Sequence, residues 1–452
     1  MAIKGRRFSR RNFVRGAGAG AALVTIVPRH VLGGPGRTPP SDKLSIAGIG
    51  VGGRGGGDIN AVAGENIVAL CDVDQRRAAG TFRKFPKAKK YRDFRTMLDQ
   101  MHKQIDAVVV GTPDHTHTVA CLAALTRGKH VYCEKPLAHS IHEIRRLQKA
   151  ARDAKVVTQV GNQGHSSGRI RSLCEWVWDG AIGRVSEVHA ACDAFGGKYS
   201  AVNELPRLKE KHDVPKELDW DLWLGPAQRR AYHPMYVPTW WRAWLPFGTG
   251  RIGDWICHVV DPAFWALDLG APATIKAEAK GYDPRKHALV YPPAVKITYQ
   301  FPAKGKRGPV TLCWYDGTWK MPHPEALEEK RNVPGTGAIL IGEDAGIMHG
   351  SHGAGGARII PDAKMRDYKQ PEQKIPRVKG HHWDWLDAIR KGRQAGSDFD
   401  YGGQLTELAL LGVIALKFPG QELRWDAAKM RFPNCAEADR HVDPPYRAGW
   451  TL

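Results

Sequence analysis

The stretch Gly48-Ile49-Gly50-Val51-Gly52-Gly53-Arg54-Gly55 decides the fold. It follows an aliphatic run, Leu44–Ile49, that reads as a strand, and precedes Gly57–Val62, which is compatible with a helix. Gly48, Gly50 and Gly53 satisfy the spacing G-x-G-x-x-G. That spacing has a physical purpose. The chain turns sharply, its backbone approaches a pyrophosphate, and the next helix aims its first N–H groups at the anion. In a chain with 50 glycines the spacing alone is weak, and its setting makes it strong. A second strand, Ile67–Cys71, ends at Asp72, about 20 residues beyond Gly53, where the ribose-binding acid of a dinucleotide fold belongs. A carboxylate there accepts the ribose hydroxyls and repels a 2′-phosphate, which favours NAD over NADP. Arg76 and Arg77 keep NADP open, Asp74 competes for the role of Asp72, and Arg54 joins the phosphate-facing set.

Outward from this turn, strand and helix signals alternate. Ala107–Val110, His130–Tyr132 and Val156–Val160 read as strands; Asp74–Phe85, Asp93–Met101, Thr116–Arg127 and Ser140–Ala154 read as helices. This alternation predicts βαβ units around a parallel sheet. After about Gly164 the texture changes. Strands Arg184–Asp193, Ala273–Ala279, Ala294–Phe301, Val310–Tyr315 and Ala338–Ile341 lack intervening helices, while Asp254–Leu267, His382–Lys391 and Gln404–Lys417 read as helices. Phe195–Gly250 is irregular, and Gly350–Gly356 reads as a flexible loop. The expected fold class is α/β: an N-terminal Rossmann dinucleotide-binding domain over 42–164, then a C-terminal α+β domain over 165–452 with a large, mainly antiparallel open sheet.

The 452 residues carry a formal charge of +21, with 42% apolar and 25% charged residues. Those fractions exclude disorder, collagen and a small disulfide scaffold. The first 36 residues hold seven Lys/Arg and no acid; setting them aside leaves 60 basic against 46 acidic residues, or +14. Ser9-Arg10-Arg11-Asn12-Phe13-Val14-Arg15, followed by the apolar run Ala17–Val27, resembles a twin-arginine export signal. The run is too short for about 30 Å of hydrocarbon. Residues 1–41 are therefore expected to act as an export signal and linker, handled by the twin-arginine machinery and delivering the protein to the periplasm. No A-x-A site marks the cut. The eight cysteines show no C-x-x-C and are expected to be reduced and buried.

The cleft at the carboxyl ends of the strands carries the chemistry. One strand runs into Gly111-Thr112-Pro113-Asp114-His115-Thr116-His117, the next into Val131-Tyr132-Cys133-Glu134-Lys135-Pro136, and a third into Val160-Gly161-Asn162-Gln163. Lys135 faces the position of a nicotinamide. His115 and His117 lack a third nearby ligand, so no metal is expected. Further on, Gly248-Thr249-Gly250-Arg251-Ile252-Gly253-Asp254-Trp255-Ile256-Cys257-His258 puts Asp254 and His258 one helical turn apart on the same face. A histidine there suits the removal of a hydroxyl proton. Tryptophans crowd this half, and Arg242 between Trp241 and Trp244 suits a sugar, whose C–H faces pack on aromatic rings.

These runs, with Ala123–Pro136 and Gly248–Asp261, resemble the signatures of the glucose–fructose oxidoreductase / inositol dehydrogenase (Gfo/Idh/MocA) family. The resemblance implies His258 as general base, Lys135 and Asp254 positioning the substrate hydroxyl, and hydride passing to nicotinamide C4. It implies cofactor contacts from Gly48, Gly50, Gly53, Arg54, Asp72, Thr112, Pro113, His117, Glu134, Lys135, Asn162 and Gln163, and substrate contacts from Trp241, Arg242 and His258. It also implies a homo-oligomer, a dimer or tetramer. The resulting expectation is an exported NAD(P)-dependent oxidoreductase acting on a sugar, sugar-derivative or cyclitol hydroxyl with a tightly held cofactor. The alternative enzyme is a glycoside hydrolase or lyase working by transient sugar oxidation. A basic envelope- or nucleic-acid-binding protein is the non-enzymatic alternative. No helix-turn-helix, zinc-finger or RNP pattern supports it, and no nucleic-acid partner is expected.

Overall fold

The computed structural model describes residues 42–193 and 199–451. The basic leader, with its twin-arginine pattern, lies outside them. Within them, residues from Leu44 onward form one compact unit built on two sheets.

The first sheet has six parallel strands: β1 Ser45–Ile49, β2 Asn66–Cys71, β3 Lys89–Tyr91, β4 Ala107–Val110, β5 His130–Cys133 and β6 Thr158–Val160. Their order is β3-β2-β1-β4-β5-β6. The order reverses between β1 and β4, and at such a switch point the carboxyl ends open a crevice for a dinucleotide. The strands are apolar along their length because both faces are covered. The linking helices are α1 Arg54–Ala61, α2 Gln75–Lys84, α3 Phe94–Met101, α4 Asp114–Leu125 and α5 Ile141–Ala154. Helix α1 begins earlier than its glycines suggested. Gly55 must sit against the turn, since a Cβ there would lie 1.9 Å from Gly50 O.

The second sheet takes β7 Val185–Cys192, β8 Thr274–Lys280, β9 Ala294–Phe301, β10 Val310–Asp316, β11 Thr336–Gly342, β12 Gly346–Gly350, β13 Arg358–Ile360 and β14 Glu422–Arg424. Their order is β13-β12-β11-β7-β10-β9-β8-β14. Only the β7–β10 pairing is parallel. Sequence reading anticipated neither β12 nor β13, and the flexible loop expected over Gly350–Gly356 is hydrogen-bonded through its length.

Helix α6 Gly168–Trp178 follows the first sheet, and a short α7 Trp220–Leu224 lies in the irregular stretch. The single helix expected over Asp254–Leu267 is two: α8 Gly250–Val259 and α9 Asp261–Ala266, with Pro262 in the first turn of α9. Proline lacks the N–H that a continuous helix requires and fits a first turn, so the chain breaks there. Helices α10 Asp362–Asp367, α11 His381–Lys391, α12 Phe399–Ala415 and α13 Ala436–Asp439 complete the chain. Helix α12 is buried nearly all round and ties the sheets together: Leu137 N donates to Thr406 Oγ1 at 3.1 Å and Tyr299 Oη to Leu408 O at 3.0 Å. One apolar cluster accordingly runs from Val108 and Cys133 to Leu312 and Trp314, while α11 covers the opposite face of the first sheet through Trp385. Among the described residues no helix is long and apolar enough to cross a membrane, and Cys71, Cys121, Cys133, Cys174, Cys257, Cys313 and Cys435 are free thiols.

Candidate active site

The nucleotide cradle is made of backbone. Gly50 holds φ at +73°, and a Cβ on it would stand 2.7 Å from Thr112 N. Only glycine allows β1 to turn this close to the end of β4. Asp72, at the end of β2, accepts Gly52 N and Asp74 N, each at 2.9 Å. Burial pushes its carboxyl up to about 6 against the pull of those N–H groups. Asp74 does not compete for this role: its side chain caps α2, taking Arg76 N and Arg77 N. Arg76 turns to Asp74 and Glu217, whereas Arg77 lies against Gly52 and Gly53. A strap crosses this end of the cradle. Asp219 N donates to Val73 O at 2.9 Å, and Gln75 N to Glu217 O at 3.1 Å.

The middle of the cleft is lined by Glu134. Its Oε1 accepts Arg54 Nε at 3.0 Å and Gln163 Nε2 at 2.7 Å, and Gln163 also donates to Tyr132 Oη. Burial and the nearby Asp58 push the Glu134 carboxyl up to about 7, although Arg54 and Lys135 oppose the shift. Thr112 Oγ1 is buried at the end of β4 with no hydrogen-bond partner among the described residues. An orphan hydroxyl and a cradle that admits no Cβ are what a bound pyrophosphate dinucleotide would complete.

The far corner of the cleft is a knot of charge where β5 ends against α8. Lys135 Nζ donates to Asp254 Oδ1 at 2.5 Å and to its backbone O at 3.0 Å. Tyr199 Oη donates to Asp254 Oδ2 at 2.5 Å, Trp255 Nε1 donates to Tyr199 Oη at 2.9 Å, and Arg242 Nε lies 3.2 Å from Asp254 Oδ2. Burial alone would raise the Asp254 carboxyl; Lys135 and Arg242 outweigh it and hold the group far below the usual carboxylate range. Asp254 is therefore a fixed anion rather than a proton acceptor. The start of its helix is anchored by Asp114, whose Oδ2 accepts Thr249 N at 3.1 Å and Thr249 Oγ1 at 2.7 Å. One turn beyond Asp254, His258 is buried and its Nδ1 has no hydrogen-bond partner among the described residues. Burial, then Lys135 and His352, hold it well below the ordinary histidine range, so it is a neutral imidazole able to accept a proton.

Residues 43–162 match the family model described as an oxidoreductase family, NAD-binding Rossmann fold, and residues 175–305 match that family's C-terminal alpha/beta domain, together more than half of the chain. The chain belongs to the Gfo/Idh/MocA oxidoreductase family. Inositol 2-dehydrogenase of Salmonella typhimurium is 27% identical over 161 residues, covering 35% of this chain and 45% of that enzyme. Levoglucosan dehydrogenase of Pseudarthrobacter phenanthrenivorans is 29% identical over 195 residues, covering 43% and 40%. The chain thus spans less than half the length of these curated relatives. An inositol dehydrogenase homologue from Azotobacter vinelandii, solved with NADH and myo-inositol, superposes with a TM-score of 0.54 over 85% of this chain and 98% of its own, at 16% identity, a likeness of fold.

In this Gfo/Idh/MocA protein the expected residues fall into distinct groups. Gly48, Gly50, Gly53, Asp72, Thr112 and Pro113 line the cradle, with Arg54, Glu134 and Gln163 beside it. Lys135, Asp254, His258 and Arg242 meet in the corner. His117 is placed otherwise: its ring nitrogens lie 2.7 Å from Pro136 O and 2.8 Å from Thr112 O, so the side chain pins two cleft loops together. His115 is spent the same way on Phe247 O and Trp223 O. Asn162 is fully buried, donating to Asp261 Oδ2 and accepting Ser397 Oγ, so both amide atoms are engaged within the protein away from the open cleft. Trp241 is packed in an aromatic cluster with the Arg242 guanidinium 4.1 Å over its ring, so it supports Arg242 instead of offering a face to sugar. Arg242 itself is turned to Asp254. Cys133 is buried, and its thiol is pushed up far from reactivity. Tyr199 and His352 escaped sequence reading, since both lie in segments without a motif. Glu210, His212 and His233 bring ligand atoms within 4.8 Å of one another. The Nδ1 of His233, however, accepts Met235 N, so its Nε2 keeps the proton and is a poor metal ligand.

Proposed function

We propose that this protein transfers hydride between a secondary hydroxyl of a sugar, sugar derivative or cyclitol and NAD, and that it does so outside the cytoplasm after twin-arginine export. The observation that carries the reading is the pairing, on one helix face, of a saturated anion with a free base. Asp254 is neutralised by Lys135 and Arg242 and takes a hydrogen bond from Tyr199, while His258 stays neutral with its Nδ1 unbonded among the described residues. NAD, when bound, supplies the hydride acceptor. Lys135 then orients the substrate hydroxyl, held in place by Asp254. His258 takes the hydroxyl proton as the carbinol C–H bond gives up its hydride, and the buried corner keeps bulk water from the reacting carbon. Asp72 favours NAD, and the Arg77 guanidinium near the same turn leaves NADP as a second cofactor.

One feature favours a redox-neutral variant. The strap through Glu217–Asp219 closes over the Asp72 turn, which would slow exchange of the cofactor. A retained cofactor suits a cycle in which the sugar is oxidised, cleaved and reduced again. The protein also assembles as a homo-oligomer in this reading. The deciding experiment is a panel of sugars, cyclitols and glycosides on purified protein, reading 340 nm absorbance and new reducing ends together. Net NADH supports the dehydrogenase, cleavage without net NADH supports the redox-neutral enzyme, and neither signal overturns both.

A further inference from the structure

His352, Gly353 and Ala354 hold left-handed backbone in succession, with φ of 55°, 84° and 61°. Glycine takes that region freely and a residue with a β-carbon does not, so such strain persists only where neighbouring structure enforces it. Here the enforcement is visible. A Cβ on Gly164 would stand 2.3 Å from Gly353 N, Ser167 Oγ donates to Gly353 O at 3.0 Å, and Gly350 N donates to Gly355 O at 2.7 Å. His352 N donates to His258 O at 2.8 Å. The outcome is a parallel stack of the two imidazoles, with centroids 4.1 Å apart and planes 18° from parallel, and with the Trp255 ring edge-on to both. His258 is buried in this stack and His352 is exposed.

We propose that His352 is a positioning residue for His258: its ring fixes the plane of the base, and its charge at acidic pH keeps the base unprotonated. The inference rests on the reading of His258 as the general base. The groups acting on His258 are Lys135 from the end of β5, Arg54 from α1, Asp254 from its own helix and His352 from the β12–β13 loop. As pH falls, the more exposed His352 takes the first proton. Its charge then joins Lys135 and Arg54 in opposing a second proton on the stacked partner, with Asp254 acting in the other direction.

The test compares the wild type with His352→Gly and His352→Phe. Glycine relieves the backbone strain, so His352→Gly melts at the same temperature as the wild type or higher, and any lost activity is not lost folding. Histidine NMR titration of the full protein is expected to show His258 protonating at higher pH in both variants. The acid limb of kcat/KM moves up with it, so that on acidification His352→Gly loses rate at a higher pH than the wild type. His352→Phe keeps a stacked ring and recovers rate at alkaline pH but not the acid limb. An unmoved His258 titration, or wild-type kinetics across pH in His352→Gly, overturns the proposal. If the wild type oxidises no hydroxyl substrate, the general-base reading falls, and the NMR titration still decides whether the two rings are coupled.

Discussion

The nucleotide cradle and the charged corner proposed to be catalytic are built by opposite means. The cradle is contiguous, and its specificity lies in backbone. Gly50 and Gly55 bring the β1–α1 turn against Gly111 and Thr112, and Asp72 closes it through N–H groups. The corner is dispersed, and its specificity lies in buried side-chain charge. Lys135, Tyr199, Arg242, His352 and the helix turn that carries Asp254 and His258 arrive from separate segments and hold one another. A backbone site fails through sterics and a charge site through imbalance, so the two should break differently.

The largest effect belongs to the corner. Lys135→Ala or His258→Ala is expected to lower kcat by roughly 10²–10⁴-fold while NAD stays bound, because the first loses the orientation of the hydroxyl, the second loses its base, and the cradle is untouched. Retained turnover in either variant, measured with the cofactor quantified in the same sample, removes the role assigned to that residue. Next comes Asp254→Asn. It leaves Lys135 and Arg242 buried without their counter-charge, and truncating one partner of a buried pair costs about 3–5 kcal/mol. A clear drop in Tm accompanies the loss of activity. Gly50→Ala attacks the cradle instead. The Cβ meets Thr112 and the φ is unfavourable, a strain of about 1–3 kcal/mol, so calorimetry should show lost NAD binding.

The smallest effects concern Asp72. Asp72→Asn is expected to weaken NAD about tenfold and to narrow the margin over NADP, since a charge-assisted bond to the ribose becomes a neutral one. A pH series sharpens the same point. With the Asp72 carboxyl near 6, NAD affinity is full above that pH and falls as pH drops through it, because the protonated acid accepts ribose hydroxyls poorly. The asparagine variant should lose that dependence. If affinity is flat with pH in the wild type, Asp72 does not face the ribose.

The cradle was readable from residue order because a pyrophosphate imposes its demands on consecutive positions. Glycine spacing, strand end and acid all fall within one βαβ unit. Lys135, Asp254 and His258 were readable because each stands at a strand end or on one helix turn. Other readings went astray for a common reason. His117 and Asn162 sit next to cleft residues in sequence, yet their polar atoms are engaged by Pro136, Asp261 and Ser397 from farther along the chain, and the Trp241 ring is buried in an aromatic cluster assembled from other segments. The loop expected to be flexible for its glycines is held by Gly164 and Ser167, close approaches that no local pattern announces.

By itself the sequence determined the parallel sheet, the dinucleotide turn, the acid at the end of β2 and the lysine, aspartate and histidine of the corner, because each is a local relation between spacing and backbone geometry. Only the tertiary structure decided that Asp254 is a neutralised anion rather than a base, that Arg242 serves it rather than a sugar, and that His258 is stacked by His352. Those outcomes depend on which charges share a desolvated space, and that space is closed by residues far apart in the chain.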